Sequence, residues 1–229
     1  IQCSFVSIND EQALSAAIKP NTKLIFCESI GNPGLEVADL PGIGAIANKH
    51  GLPLVVDATF ATPSLCKPFD FGANIVVHSV TKWMGGHGVA VGGVIVDGGN
   101  FDWQASGRFS QLTEPYAPFH GISFWEEFGP SALAMKIRAE TMRDIGPSMS
   151  PHSAFLILQG LETLSMRMRQ HVENTRLLVD WLQQQDEVLW VNHPDLESNA
   201  SHAIAQQLFP SGAGSILCFG VVGARTGGA

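Results

Sequence analysis

Lys82 is the side chain whose surroundings in this sequence indicate the most chemistry. It follows the apolar run at residues 75–77, has the hydroxyls of Ser79 and Thr81 just before it, and precedes a glycine-rich segment at residues 85–88. A lysine taken out of water next to such a run can lose its proton and attack a carbonyl carbon. The pattern favours a nucleophilic amine over the solvated surface charge that most lysines provide.

A carboxylate at the end of a second apolar strand gives this amine a partner. Asp57 closes the run at residues 52–57, and an aspartate and a lysine at the ends of neighbouring strands can face one ligand from two sides. Pyridoxal 5'-phosphate (PLP) has matching groups, because its aldehyde suits the lysine, its ring nitrogen the aspartate and its phosphate nearby hydroxyls. Simpler interpretations stay open: strand-end turns for Ser79 and Thr81, a helix cap for Asp57 and a plain turn for Asn32.

Other reactive centres find less support in the sequence. His78 and His87 have no carboxylate or thiol at metal-ligand spacing, and the G-x-S-x-G turn of a serine hydrolase is absent. The formal net charge of −8 and the lack of a basic cluster argue against nucleic acid as a partner. The four cysteines are scattered and the apolar runs are strand-length, which indicates a cytoplasmic protein without a membrane span.

The first half of the chain alternates strand and helix patterns. Uninterrupted Val and Ile runs are typical of strands buried on both faces, so they predict an α/β fold with a mostly parallel sheet flanked by helices. Ligands of such sheets bind at the carboxyl ends of the strands, where Asp57 and Ser79 lie. The predicted elements are a helix capped by Asn9 or Asp10, a helix capped by Asp39, and strands at residues 23–28, 54–57, 75–79 and 92–96.

The second half carries longer helical patterns and a domain boundary. We predict the boundary near residue 148, between a PLP-binding large domain (1–148) and a smaller C-terminal α/β domain (149–229), both partial. The start at Ile1 without a methionine also predicts an internal fragment of a longer protein. The predicted elements are a helix at 125–143, a helical stretch at 152–185 broken near Gly160 with Arg167, Arg169, Glu173 and Arg176 outward, and strands at 188–191 and 215–222 around a helix at 201–208.

Three segments of the sequence resemble one enzyme family closely. Residues 28–33, 55–63 and 78–88 are similar to the Cys/Met-metabolism PLP-dependent enzymes, the cystathionine γ-synthase-like group. The resemblance implies the PLP-dependent transferase fold type I, which is aspartate aminotransferase-like, and a homotetramer built from two dimers. Within the family, the O-acetylhomoserine sulfhydrylases are most similar at residues 81–88, 97–103 and 158–164.

The resemblance also implies a cofactor role for each of six residues. Lys82 is the catalytic residue that carries PLP as a Schiff base, and Asp57 keeps the pyridine nitrogen protonated. The other four are Ser79 and Thr81 on the phosphate, Asn32 on the side of the ring's 3-hydroxyl, and Thr59 near the ring face.

The implied reaction is a γ-replacement between an amino-acid substrate and sulfide. O-acetyl-L-homoserine reacts with sulfide to give homocysteine and acetate; a methionine γ-lyase, a cystathionine γ-synthase and an inactive fragment are the alternatives. The family's phosphate loop and ring-stacking tyrosine fall before Ile1, and its substrate-carboxylate arginine falls after Ala229. Asn74 stands where an aspartate is more usual.

Overall fold

The computed structural model describes residues 1–223, and its larger sheet has four strands. These are β1 (Ile25–Glu28), β2 (Leu54–Asp57), β3 (Ile75–Ser79) and β4 (Gly93–Asp97), in that spatial order. The first three run parallel, and β4 pairs antiparallel with β3. The predicted mostly parallel sheet is therefore confirmed, with an antiparallel strand at one edge.

The central strands pack into a hydrophobic cluster on each face of the sheet. Val56 and Val76 belong to the larger cluster, whereas Val55 and Ile75 belong to a second cluster that contains the buried ring of Phe124. This division follows from the strand geometry, in which successive side chains point to opposite faces. Burial on both faces explains why these strands have uninterrupted apolar sequences.

Two helices of the first half begin at the predicted caps. Asp10 accepts a backbone N–H of the first turn of α1 (Glu11–Ala17) at 2.8 Å. Asp39 does the same for α2 (Leu40–Lys49) at 3.1 Å. Each carboxylate satisfies one of the backbone donors that the start of a helix leaves without an intrahelical acceptor. A short helix, α3 (Thr62–Leu65), follows β2.

The middle of the chain forms several short helices, so the predicted continuous helix at 125–143 is wrong. Gly129 interrupts it with a φ of +50°, and Pro130 has no N–H to continue the ladder. The helix resumes and then widens into a π-helical turn at Ile137–Met142. The α-helices of this region are α4 (Trp103–Ser106), α5 (Ser110–Thr113), α6 (Phe124–Phe128), α7 (Ala132–Lys136) and α8 (Arg143–Ile145).

The remaining elements are two long helices and a two-stranded sheet. The helices α9 (Pro151–Glu162) and α10 (Leu164–Leu182) meet at Thr163, close to the predicted break. The antiparallel strands β5 (Val188–Asn192) and β6 (Cys218–Val221) lie on either side of α11 (His202–Leu208) in the sequence.

The larger hydrophobic cluster continues across the predicted boundary at residue 148. Met168 and Val172 of α10 are buried in the same cluster as Val56 of β2. The boundary itself stays a prediction, and the predicted C-terminal domain runs on to residues 224–229, which lie outside the described residues. The shared core means that α10 can position residues of the first half directly.

Candidate active site

Three of the predicted site residues form a hydrogen-bonded network at the carboxyl ends of β2 and β3. Asp57 is the last residue of β2 and Ser79 the last of β3. The Thr59 amide donates to Asp57 Oδ1 at 2.8 Å, and the Ser79 amide donates to Thr59 Oγ1 at 2.8 Å. We call these three residues the strand-end network. Thr59 is its centre, since it orients the carboxylate and binds the neighbouring strand.

Thr81 lies just beyond this network and is already bonded to backbone. Its hydroxyl donates to the carbonyl oxygen of Gly92 at 3.1 Å and accepts the Gly92 amide at 2.9 Å. A hydroxyl has a single proton, so Thr81 offers no further hydrogen in this arrangement. The hydroxyl of Ser79, in contrast, has no hydrogen-bond partner within residues 1–223 and can donate to an added anion.

His78 directly precedes Ser79 in β3, but its side chain is directed into the protein. Its side chain is buried, and its Nδ1 has no hydrogen-bond partner among residues 1–223. Burial lowers the pKa of this imidazole, against the opposing effects of a backbone hydrogen bond to Ala58 and of the Asp57 charge. His78 is therefore held in its neutral form beneath the strand ends.

Lys82 lies on the wall of an open cleft of about 410 Å³. Asn32 and the rings of Phe60 and Trp83 share that wall, so the structure brings Lys82 and Asn32 together. The expectation that the apolar run removes Lys82 from water is wrong, because the side chain is exposed. The strand that contains the run ends at Ser79, and the turn after it carries Lys82 out to the cleft.

The cleft contains groups that fit a cofactor such as PLP. It offers a primary amine, an amide and two aromatic rings, and Gly86 and Gly88 leave backbone accessible along it. Its volume lies within the range of small-molecule sites, about 300–1,000 Å³. Asp57, Thr59 and Ser79 do not line this cleft, although Thr59 directly precedes Phe60, which does.

The segment that carries Lys82 is held by Arg167 of α10. We call residues 82–88 the lysine loop. The Arg167 guanidinium donates to the carbonyl oxygens of Trp83 at 2.8 Å, Met84 at 3.3 Å and Gly160 at 2.7 Å. The expectation that Arg167 points outward is therefore wrong, whereas Arg169, Glu173 and Arg176 are exposed as expected.

The turn that contains Asn32 is also held by residues that the sequence patterns missed. Asn192 of β5 donates to the carbonyl oxygen of Gly34 at 2.8 Å. The thiol of Cys218 in β6 donates to the carbonyl oxygen of Pro33 at 3.2 Å. These contacts span more than half of the sequence, and no local motif announces them.

Comparison with known proteins identifies the family. The Cys/Met metabolism PLP-dependent enzyme family matches residues 1–227. The chain belongs to this family of PLP-dependent enzymes. The resemblance at residues 28–33, 55–63 and 78–88 is thereby confirmed, as is the fold type I α/β architecture expected from it.

Individual relatives within the family match nearly the whole chain. The homocysteine synthase of Schizosaccharomyces pombe is 47% identical over 225 residues, which are 97% of this chain and 52% of that protein. An O-acetylhomoserine sulfhydrylase of Wolinella succinogenes superposes with a TM-score of 0.83 at 39% identity, over 95% of this chain and 59% of that one.

A third relative connects the fold with the cofactor. A crystal structure from Campylobacter jejuni that contains an N'-pyridoxyl-lysine-5'-monophosphate residue superposes with a TM-score of 0.90 at 33% identity, over 93% of this chain and 53% of that one. The chain thus spans about half the length of the relatives it matches.

Proposed function

We propose that the protein catalyses γ-replacement on O-acetyl-L-homoserine, with sulfide as the nucleophile. The carbon–oxygen bond at the γ carbon breaks, a carbon–sulfur bond forms there, and the products are homocysteine and acetate. The observation that carries the proposal is the Lys82 amine beside Asn32 in an open cleft, in a chain 47% identical to a homocysteine synthase.

The predicted residues have distinct tasks in holding PLP. Lys82 would bind the aldehyde, and Asp57, whose carboxylate accepts the Thr59 amide, would pair with the ring nitrogen. Asn32, which lines the same cleft as Lys82, would contact the 3-hydroxyl side of the ring, and Thr59 would pack near the ring face. Ser79 and Thr81 would bind the phosphate; Thr81 would then have to exchange its donation to Gly92 for one to the anion. When bound, PLP supplies an electron sink for the pair that a departing proton leaves behind.

Lys82 moves the protons of the reaction. With PLP and substrate bound, the freed Lys82 amine would be the base that takes the proton from the α carbon and then moves a proton at the β carbon, so that acetate could leave from the γ carbon. Its exposed position at the cleft wall leaves the Lys82 side chain accessible to a molecule bound in the cleft. The Asp57 carboxylate would keep a proton on the ring nitrogen, because a carboxylate stabilises a nearby positive charge.

The test is a product assay on the chain supplied with PLP. Incubation with O-acetyl-L-homoserine and sulfide is expected to give homocysteine and acetate in equal amounts. Lys82→Ala is expected to abolish the reaction, whereas Lys67→Ala, which removes another exposed lysine, leaves it unchanged. Two parallel incubations separate the alternatives. Breakdown of added methionine, without homocysteine formation from O-acetyl-L-homoserine, would show a γ-lyase. Formation of cystathionine when cysteine replaces sulfide would show a cystathionine γ-synthase. Near-parent turnover by Lys82→Ala contradicts the assigned role.

Assembly and location belong to the same proposal. We infer that the protein is a cytoplasmic homotetramer made of two dimers. Exposed hydrophobic side chains on α9 and α10 support a subunit interface on these helices: Phe155, Leu158 and Met166. No helix within residues 1–223 has both the length and the apolar character needed to cross a membrane. Light scattering at several protein concentrations measures the oligomeric state.

A further inference from the structure

The Lys82 side chain has no partner of its own to hold it. Within residues 1–223 its amine takes part in no hydrogen bond, ion pair or ring contact, and the side chain is exposed. A long side chain without contacts samples many rotamers, so its location depends on the backbone that carries it. The contacts that fix the lysine loop therefore decide where the amine can be.

Arg167 supplies this fixation through an unusual set of bonds. Besides the carbonyl oxygens of Trp83, Met84 and Gly160, its Nε donates to Thr163 Oγ1 at 3.1 Å. No ion pair within residues 1–223 includes Arg167, and its guanidinium is half-buried. The rigid fork of a guanidinium suits several acceptors in one plane, a geometry that the single ammonium of a lysine cannot reproduce.

The lysine loop, the guanidinium and α9 pack closely against one another at two glycines. A Cβ added to Gly160 would collide with the carbonyl oxygen of Gly85, and one added to Gly86 would collide with Arg167 itself. Gly86 also has a φ of +71°, a conformation that other residues adopt only with strain. Two glycines thus let helix, guanidinium and loop meet at backbone contact distance.

We propose that Arg167 is a positioning residue for Lys82: by binding the two carbonyls that come after the lysine, it fixes the lysine loop and keeps the amine at the cleft shared with Asn32. The link to reactivity rests on the proposed function. The link to loop order does not, because it concerns backbone contacts alone. If Arg167 served only to pack α10, its guanidinium would not need to bind two successive carbonyl oxygens of the lysine loop.

The test uses the 229-residue chain with Arg167→Met, Arg167→Lys and the matched control Arg169→Met, which alters an exposed arginine of the same helix. The first measurement is amide hydrogen exchange without cofactor at Gly85 and Gly86, whose amides bond within the loop region at 2.9 and 2.8 Å. The amide of Ser29, bonded to the carbonyl oxygen of Asp57 at 2.8 Å in the sheet, reports global stability. The second measurement is the rate at which borohydride fixes PLP on Lys82.

Arg167→Met is expected to raise exchange at Gly85 and Gly86 by about tenfold or more, with Ser29 unchanged, and to slow PLP fixation about tenfold. Arg167→Lys is expected to fall between parent and Arg167→Met, and Arg169→Met to match the parent. If Arg167→Met does not fold, Arg167→Lys provides the same comparison against Arg169→Met.

Parent-like exchange and fixation in both Arg167 variants would overturn the proposal. An equal rise at Ser29 would overturn it as well, because that result describes general destabilisation. If the parent chain fixes no PLP on Lys82, the proposed function fails, while the exchange comparison still decides whether Arg167 positions the loop.

Discussion

The strand-end network and the lysine loop are two halves of one candidate site, and they are held in opposite ways. Asp57, Thr59 and Ser79 lie at the ends of buried strands and bond to one another over 2.8 Å distances within the sheet edge. The lysine loop comes after a strand too, but its carbonyl oxygens at Trp83 and Met84 accept hydrogen bonds from Arg167 of α10. One half is bonded within the ends of its own strands, and the other also accepts hydrogen bonds from a helix far along the sequence.

The largest expected effect separates charge from hydrogen bonding in the strand-end network. Asp57→Asn keeps an acceptor for the Thr59 amide but loses the negative charge. We expect turnover to fall about 100-fold, the size typical of losing one preorganised electrostatic partner, and stability to change by less than about 0.5 kcal/mol. Steady-state kinetics and urea unfolding measure the two quantities. Asp70→Asn, an exposed carboxylate, is the control, and parent-like turnover in Asp57→Asn would remove the assigned role of the charge.

Gly160→Ala tests how tightly α9 supports the lysine loop. Helix propensity alone would make this substitution stabilising by about 0.5–1 kcal/mol. Because the added methyl collides with the carbonyl oxygen of Gly85, we instead expect destabilisation by about 1–3 kcal/mol. Thermal and urea unfolding give the sign directly, with the exposed Ser165→Ala as a control. A more stable Gly160→Ala would mean that the loop yields easily.

Ser79 and Thr81, the two residues proposed to bind the phosphate, are expected to differ in how much they stabilise the protein without the cofactor. Thr81→Val removes both bonds to Gly92 and should cost about 1–2 kcal/mol of stability in the absence of PLP. Ser79→Ala removes a hydroxyl that has no partner within residues 1–223, so stability should stay within about 0.5 kcal/mol while PLP affinity drops about tenfold. Unfolding and fluorescence titration with PLP measure these effects. Equal losses of stability in both variants would contradict the distinction.

The smallest expected effect is a pH dependence of protein stability caused by His78, which is buried beneath the strand ends. Burial lowers the pKa of His78 from its ordinary 6.5, so the unfolded chain binds its proton more readily than the folded chain. The stability that neutral His78 contributes is complete above pH 6.5 and is lost as the pH falls from there towards the lower folded pKa. His78→Gln should flatten the stability slope between pH 7.5 and 5.5, roughly the interval in which histidine titrates. His152→Gln, at an exposed position, should keep the slope of the parent.

The sequence predicts well the features that local patterns control. Valine and isoleucine runs end at Asp57 and Ser79, and parallel neighbours bring strand ends to one edge, so their proximity could be expected. Asp10 and Asp39 begin their helices for equally local reasons. The role of Arg167 could not be expected, because its charge made it resemble the exposed arginines of α10. Its inward orientation becomes visible only in the structure, where Gly160 packs against the lysine loop and Arg167 donates to the Gly160 carbonyl oxygen.

Two further expectations fail for related physical reasons. The helix expected at 125–143 breaks at Gly129 and Pro130, where backbone chemistry overrides an apolar pattern. The expected burial of Lys82 assumed that an apolar strand shields the residues after it, but the turn beyond Val80 carries the side chain to the cleft wall. Turn geometry and long-range packing are not properties of a local window.

The most direct test of the Lys82 assignment is peptide mapping after the chain is treated with PLP and borohydride. We expect a single pyridoxyl adduct, on the peptide that contains Lys82, and its loss in Lys82→Ala. An adduct spread evenly over the exposed lysines, or one that persists in Lys82→Ala, would contradict the central assignment.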